Sequence, residues 1–421
     1  MWFDPVGTLN GVAVEPLPHG AQDGPSRRRQ QGRELRGHAW PLRELPRTIT
    51  SQPLRSVRLA VAGLGYWGPN LVRNLYEMSD VDIVSACDIR PEALAPVALR
   101  FPTVRTSRKF EDLLEDESIE GILIATPAST HFELACASLA AGKHVFVEKP
   151  LASSSHAASE LIALAAQKDL VLMSGHTFLY SPPVNLVRSL IDAGQLETIY
   201  AISMSRVNLG IHRTDVSVIW DLGAHDFSIL RYWLGEMPTS VAALSRDCTI
   251  RDKPDVAFVT LSFPSGTIAQ VELSWLAPSK LRRTTIVGSS KMVVYDDTSN
   301  EPVRIFDSGV MNRTPQSFGE YRLSYRTGDI ISPAIDPVEP LALEMADFCA
   351  AIRERITPRS SAQLGLDIVR IIEAAERSAS AKGAPIPLPS DHDSAPGPAT
   401  LAACASPQAR SGVRRFDQPS S

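Results

Sequence analysis

The chain has 421 residues, 44% of them hydrophobic and 21% charged, which is ordinary for a globular protein of two or three domains. A net charge of −5 lacks the basic footprint of a general nucleic-acid binder. No run approaches the roughly 18 apolar residues of a membrane span, and five scattered cysteines with no CxxC pair suggest neither a zinc ribbon nor a disulfide framework, as expected of a cytoplasmic protein.

Residues 1–54 are rich in Pro, Gly, Arg and Gln, include Arg27-Arg28-Arg29 and develop no apolar periodicity. They read as a disordered tail, and 389–421 reads as another. The start of the chain lacks the basic and then apolar regions of a secretory signal.

Between the tails, strands alternate with helices. The apolar strand at 57–63 leads to a helix at 67–78, a strand at 81–88, a helix at 91–101 and a short strand around Val104. A helix at 109–116, a strand at 119–126, a helix at 129–142 and a strand at 144–149 follow. A helix at 154–169 and a strand at 170–175 close the series. Such alternation predicts βαβ units and a doubly wound parallel sheet, a Rossmann-type α/β domain over 55–175.

After 176 the rhythm changes. Helices at 183–193 and 218–235 flank a strand at 198–209. Strands then dominate at 239–248, 255–263, 266–276, 283–289, 291–297 and 303–307. Turns such as Pro264-Ser265-Gly266 make hairpins, so 176–388 is expected to be an α/β domain on a large, mostly antiparallel open sheet. Helices at 339–356 and 360–382 are expected to pack back on the body.

The first strand runs into Gly63-Leu64-Gly65-Tyr66-Trp67-Gly68. A lone GxGxxG is weak, but this one follows a strand and opens a helix, the context a dinucleotide site requires. Gly63 permits the tight turn, Gly65 lets the backbone approach a pyrophosphate, and Gly68 lets the helix pack on the strand. Asp88, twenty residues past Gly68, ends the second strand, where an acid binds the adenosine ribose and repels a 2′-phosphate. NAD is therefore favoured over NADP, with Arg90 near enough to temper that choice.

Ligands of open α/β sheets lie beyond the carboxyl ends of the strands. Three further ends matter: Ala125-Thr126-Pro127, Glu148-Lys149-Pro150 and Ser174-Gly175-His176. Proline stops the strand and holds the preceding residue extended, so Lys149 is aimed at the cofactor edge. By itself this is equally a strand end meeting water. Asp221 and His225 stand four apart in a helical stretch and share a face, where a carboxylate can orient an imidazole. Alone, they could be a surface pair. No His or Cys at ligand spacing supports a metal site.

The ordered set GLGYWG, ATPASTH, VEKP and WDLGAHD resembles the Gfo/Idh/MocA family, that of glucose–fructose oxidoreductase and inositol dehydrogenase, over about residues 56–385. Within it, HTFLYSPPV, SRVNLGIHRTDVSVIWDLGAHDFSIL and SWLAPSKLRRTTIVGSSKMVVYDD are similar to the nucleotide-sugar branch, whose members oxidise the 3-hydroxyl of a UDP-N-acetyl-hexosamine or its uronic acid. Ala224 stands where those relatives often carry proline.

The resemblance implies tightly held NAD(H) or NADP(H), hydride transfer at a sugar-ring carbon, and a homodimer or homotetramer. It implies Lys149, Asp221 and His225 as the catalytic set, with His225 the general base, Asp221 orienting it, and Lys149 steadying the hydroxyl oxygen or sharing the proton. Glu148 would contact the nicotinamide ribose. Tyr66, Trp67, Thr126, Pro127 and His131 would line the cofactor channel, although His131 could be a surface helix residue. His176, Tyr180, Arg206, Asn208 and Arg213 are the substrate candidates, the arginines for a pyrophosphate. Arg282 and Arg283 are candidates on an exposed strand. Other readings are an inositol or free-sugar dehydrogenase, an NADPH-dependent ketosugar reductase, or a cofactor-binding regulator without chemistry.

Overall fold

The computed structural model describes residues 55–210, 216–312 and 323–389. The expected N-terminal tail, the C-terminal tail beyond Pro389 and the candidate Arg213 lie outside the described residues.

The first half follows the apolar pattern closely. Strands β1 (Val57–Ala62), β2 (Val81–Cys87), β3 (Arg105–Ser107), β4 (Gly121–Ile124), β5 (His144–Glu148) and β6 (Leu172–Gly175) form one sheet in the order β3-β2-β1-β4-β5-β6. Every pairing in it is parallel. The order reverses between β1 and its two neighbours, which opens a crevice at their carboxyl ends. Helices α1 (Gly68–Tyr76), α2 (Pro91–Arg100), α3 (Glu111–Glu115), α4 (His131–Ala140) and α5 (Ser155–Gln167) link the strands. Their ends obey local rules. Pro69 sits in the first turn of α1, where a missing N–H costs nothing. The Ser154 side chain accepts from the Ala157 N–H at the start of α5, the usual way to satisfy an orphan donor.

The second half holds helix α6 (Pro182–Asp192), strand β7 (Ile199–Leu209) and helix α7 (Ala224–Leu234). Strands β8 (Ser240–Arg246), β9 (Val256–Ser262), β10 (Ile268–Ser274), β11 (Leu276–Gly288), β12 (Met292–Asp296), β13 (Val303–Asn312) and β14 (Leu323–Ile331) follow. Helices α8 (Pro340–Glu354) and α9 (Ala362–Ser380) and the short β15 (Ile386–Pro387) complete the described chain. The nine-stranded sheet runs β14-β13-β12-β11-β7-β10-β9-β8-β15. It is antiparallel except for the β7–β10 pair. That pair is parallel because α7 and the β8–β9 hairpin intervene between its strands and return the chain to the same end.

Several strands depart from the sequence expectation, among them the short β15 and the longer β13. Strand β14 was not anticipated, and β11 begins seven residues early, through Pro278 and Lys280, with a register shift between Leu276 and Leu281. A proline and exposed polar residues hide such an irregular strand. The closing helices also divide their packing. Helix α9 lies on the second sheet, where the Ser378 hydroxyl accepts from the Ala243 N–H. Helix α8 instead lies on the first sheet: Leu341, Met345, Phe348, Cys349 and Ile352 are buried in one core with Leu59, Leu71 and Phe146. Ion pairs from Arg73 to Glu339 and from Arg353 to Asp80 fasten its two ends. Among the described residues no helix is long and apolar enough to cross a membrane.

Candidate active site

A cleft of about 1980 Å³ runs across the carboxyl ends of β1, β2, β4 and β5 and continues beneath the end of β7 and the turn before α7. A pocket for one small ligand is usually about 300–1,000 Å³, so this cleft has room for a dinucleotide and a second molecule.

The glycine loop forms its first wall. Gly63 has φ +89°, a left-handed conformation, and a Cβ there would lie 2.7 Å from the Ala125 backbone. A Cβ on Gly68 would lie 2.0 Å from the Gly63 carbonyl oxygen, which explains the close helix–strand approach. Gly65 faces open space apart from Arg90, so a phosphate can reach the backbone N–H groups. Tyr66 is 86% exposed and Trp67 38%, and both line the cleft. Asp88 is buried at the end of β2, where its Oδ2 accepts the Leu64 N–H at 2.8 Å. Arg90 forks onto it, Nε to Oδ1 and Nη2 to Oδ2, both at 3.1 Å. Burial pushes the Asp88 carboxyl up, but the hydrogen bonds from Arg90 and Leu64 outweigh it and lower its pKa. These residues fit a dinucleotide carrying free ribose hydroxyls.

The exits of β4 and β5 form the middle. Thr126, Pro127 and His131 all line the cleft. His131 is not a surface residue: it is 1% exposed, with Nδ1 2.8 Å from the Pro150 carbonyl and Nε2 2.9 Å from that of Thr126. It ties together the two loops that carry Thr126 and Lys149. The Lys149–Pro150 peptide is cis. Lys149 Nζ donates to the Asp221 carbonyl oxygen at 2.9 Å and lies 3.3 Å from Asp221 Oδ1. Glu148 lines the cleft beside it. Burial raises the Glu148 carboxyl to about 7, against the pull of Lys149.

Asp221 and His225 complete the site from a widened π-type turn, Ile219–Gly223, that leads into α7. Such turns recur at functional sites. The expectation that Asp221 orients the imidazole is not met at Nδ1. Asp221 Oδ2 takes the Trp275 indole N–H at 3.3 Å, Oδ1 pairs with Lys149, and His225 Nδ1 has no hydrogen-bond partner among the described residues. His225 packs edge-on to Phe178, 5.0 Å between centroids. Burial first, then the charges of Lys149, Arg206 and Arg282, hold its pKa well below the usual histidine value. The imidazole is therefore neutral, with a lone pair that can accept a hydrogen bond, and the same shift disfavours its protonated form.

Three of the substrate candidates lie elsewhere. Arg206 is 4% exposed and forked onto Asp226, Nε to Oδ2 at 2.8 Å and Nη2 to Oδ1 at 2.9 Å. It also stacks over Phe178, 4.6 Å from the ring centroid. Its guanidinium is paired with Asp226 inside the fold, with Nη1 buried and unpartnered among the described residues, and it does not line the cleft. Tyr180 is a structural bolt, its hydroxyl donating to Asp347 Oδ2 at 2.6 Å and accepting the Ser360 N–H at 3.1 Å. His176 is 1% exposed behind the site, with both ring nitrogens unpartnered. Arg282 also stays outside the cleft, paired with Asp297 at 3.2 Å. Asn208 does reach the cleft, and its Oδ1 is buried without a partner. Sequence reasoning missed Trp220, Leu222 and Trp275, which line the substrate end with Leu209 and Val216. Only the tertiary fold brings Trp275 against Asp221, 54 residues away in sequence.

Two family models match the chain: the oxidoreductase family, NAD-binding Rossmann fold, over residues 57–176, and the GFO/IDH/MocA C-terminal domain over residues 184–294. The scyllo-inositol 2-dehydrogenase (NAD(+)) of Bacillus subtilis is 30% identical over 271 residues, 60% of this chain and 77% of that one. The UDP-N-acetylglucosamine 3-dehydrogenase of Acidithiobacillus ferrooxidans is 27% identical over 244 residues, 58% of this chain and 75% of that one. The crystal structure of GenD2 from gentamicin A biosynthesis in complex with NAD has the same fold, with a TM-score of 0.68 at 24% identity, covering 80% of this chain and 98% of that one.

Proposed function

Since the chain belongs to the Gfo/Idh/MocA family of NAD-binding oxidoreductases, we propose that it moves a hydride between NAD and a secondary hydroxyl carbon on the ring of a sugar or cyclic polyol. The observation that carries this reading is the convergence of Lys149, Asp221 and neutral His225 on the cleft that the glycine loop opens. A pure cofactor binder has no need of all three.

Bound NAD would supply the hydride acceptor, held by the Gly63–Gly68 loop and Asp88. The protein's own part is proton management. Lysine has three N–H donors. Two of Lys149's directions are set by Asp221, which leaves one for the substrate hydroxyl. His225, neutral, accepts the hydroxyl proton as general base. Lys149 steadies the oxygen as negative charge develops on it. Trp220, Leu222 and Trp275 exclude water from that end, and the Trp220 indole offers a flat face to a ring. Glu148, beside Lys149, would meet the nicotinamide ribose.

The finer reading is a nucleotide sugar, such as a UDP-N-acetyl-hexosamine or its uronic acid, oxidised at C3. It is supported by the relative in Acidithiobacillus ferrooxidans. A second reading, a neutral polyol or free sugar, is favoured by a specific observation: Arg206 is paired with Asp226 and does not line the cleft. A panel of UDP-N-acetylglucosamine, its uronic acid, myo-inositol and glucose, followed by NADH absorbance, decides between them. NADH formed only with the UDP-sugars supports the first, and only with inositol the second. Turnover of no ring alcohol would overturn the proposal. A homodimer or homotetramer remains part of the proposal. The sheet face that exposes Tyr200, Phe258 and Ile268 is the surface for it.

Asp88 offers a second test. Asp88→Ser removes the carboxylate that repels a 2′-phosphate and frees the Arg90 guanidinium to bind one. The ratio of kcat/KM with NADP to that with NAD is expected to rise at least about tenfold, one opposed charge contact at a typical ~1.4 kcal/mol.

A further inference from the structure

Glu344 of α8 is fully buried although it comes from the far end of the chain. Its position relative to Glu148 follows from the packing of α8 on β5. The Phe146 and Phe348 rings meet edge to face, 5.9 Å apart. Glu148 lies two residues past Phe146, on the same side of the strand. Glu344 lies four residues before Phe348, on the same face of the helix. The two carboxyls therefore oppose each other one step along this contact. They also flank one segment: a Cβ on Gly175 would be 3.1 Å from Glu148 Oε2, while Thr177 Oγ1 donates to Glu344 Oε2 at 2.6 Å.

The hydrogen-bond inventory then places a proton. Glu344 Oε2 takes its bond from Thr177, and Glu148 Oε2 takes the Lys149 N–H at 3.3 Å. The remaining oxygen of each, Oε1, is buried and unpartnered. Two opposed carboxylates in a buried place cannot both be ionised, and two buried acceptors cannot satisfy each other. One shared proton resolves both conditions. We propose that Glu344 is a neutral carboxylic acid, that its Oε1–H donates to Oε1 of Glu148, and that this bond makes Glu344 a positioning residue, fixing the Glu148 carboxylate toward the cofactor.

Burial raises both groups, Glu344 well above the usual carboxyl value with Glu148 as the next cause. The other titratable groups around the pair are Lys149, His176, Tyr180 and Asp347. Lys149 favours the ionised form of Glu148; Asp347 favours the neutral form of Glu344, against the Thr177 hydroxyl and the His176 N–H, and burial with the facing Glu148 outweighs those two. The pair thus settles with the charge on Glu148, on the Lys149 side. The role of Glu148 toward the cofactor rests on the proposed function, whereas the protonation of Glu344 does not.

Infrared spectroscopy of the full chain tests the proton directly. At about pH 8, where ordinary carboxyls with pKa about 4 are ionised, a carboxylic-acid C=O band is expected in the wild type and absent from Glu344→Gln. The Gln amide can donate to Glu148 and accept from Thr177, so NADH affinity, read by fluorescence from pH 5 to 9, is expected to stay within about threefold. Glu344→Leu removes the donor. Its loss disfavours the ionised Glu148, so the acidic limb of NADH binding is expected to move up by about one pH unit or more. A band that persists in Glu344→Gln, or a Glu344→Gln limb shifted as far as that of Glu344→Leu, overturns the proposal. Should Glu344→Leu fail to fold, the band and the Gln profile decide alone. Failure of every ring alcohol to react would count against the proposed function and leave the infrared result intact.

Discussion

Lys149→Ala is expected to lower hydride transfer by about 10²–10⁴-fold, the usual range for losing a positioned proton-handling group, while NADH still binds. Lys149 sits where three constraints meet. The end of β5 and Pro150 fix its backbone, the Asp221 carbonyl and carboxylate hold Nζ, and its side chain is 12% exposed. The ammonium is therefore already in place before substrate arrives, and little reorganisation remains for the reaction. The glycine loop and Asp88 do not depend on it, so cofactor affinity is expected to change by no more than about threefold, less than one ordinary hydrogen bond is worth. Single-turnover NADH formation, with NADH titration by fluorescence, separates the two effects. Full activity in Lys149→Ala would remove Lys149 from the chemistry. Loss of binding and activity together would make it a cofactor ligand.

The second large effect concerns stability. Arg206→Ala should destabilise the fold by about 3–5 kcal/mol, the cost of leaving a buried partner charge alone. Arg206 and Asp226 have side chains only 5% and 4% exposed, so water cannot rescue Asp226 when the guanidinium goes. The Phe178 ring also loses its stacked neighbour. Urea denaturation measures the loss. Replacing both charges, Arg206→Met with Asp226→Leu, is expected to recover much of it, because the desolvation penalty of the ion pair disappears with the pair. Folded Arg206→Ala should keep its substrate KM within about threefold, less than the worth of one hydrogen bond. A stable variant whose KM rises a hundredfold would instead return Arg206 to the substrate.

The sequence showed some features of this molecule and hid others for physical reasons. The first half was legible because its determinants are local. The glycine loop, the strand-end Asp88 and the alternation of apolar runs all act within about thirty residues. The second half was less so. The parallel β7–β10 pair and the irregular β11 depend on which distant strand comes to lie alongside. Site residues divide the same way. Strand-end and helix position marked Lys149, Asp221 and His225 as candidates, the family resemblance implied their roles, and the structure brings all three to one cleft. Their pairing was not legible, because Asp221 meets a lysine 72 positions away. Arg206 was a pyrophosphate candidate because arginine recognises phosphates well, and Asp226, twenty residues later, gives no local sign of being its partner. Tyr180 and His176 were misplaced for the same reason: a strand end reveals where the backbone stops, not which side chains turn inward.

Helix α8 has a consequence for how the molecule is made. The parallel sheet ends at Gly175, yet the helix that covers Leu59 and Phe146 ends at Glu354. At about 5–20 residues per second, a ribosome needs roughly 10–35 s to synthesise the interval. Throughout that time the nascent nucleotide-binding sheet presents an uncovered apolar face. Its completion waits for nearly the whole polypeptide, so excision of the dinucleotide half at Gly175 would leave that face uncovered.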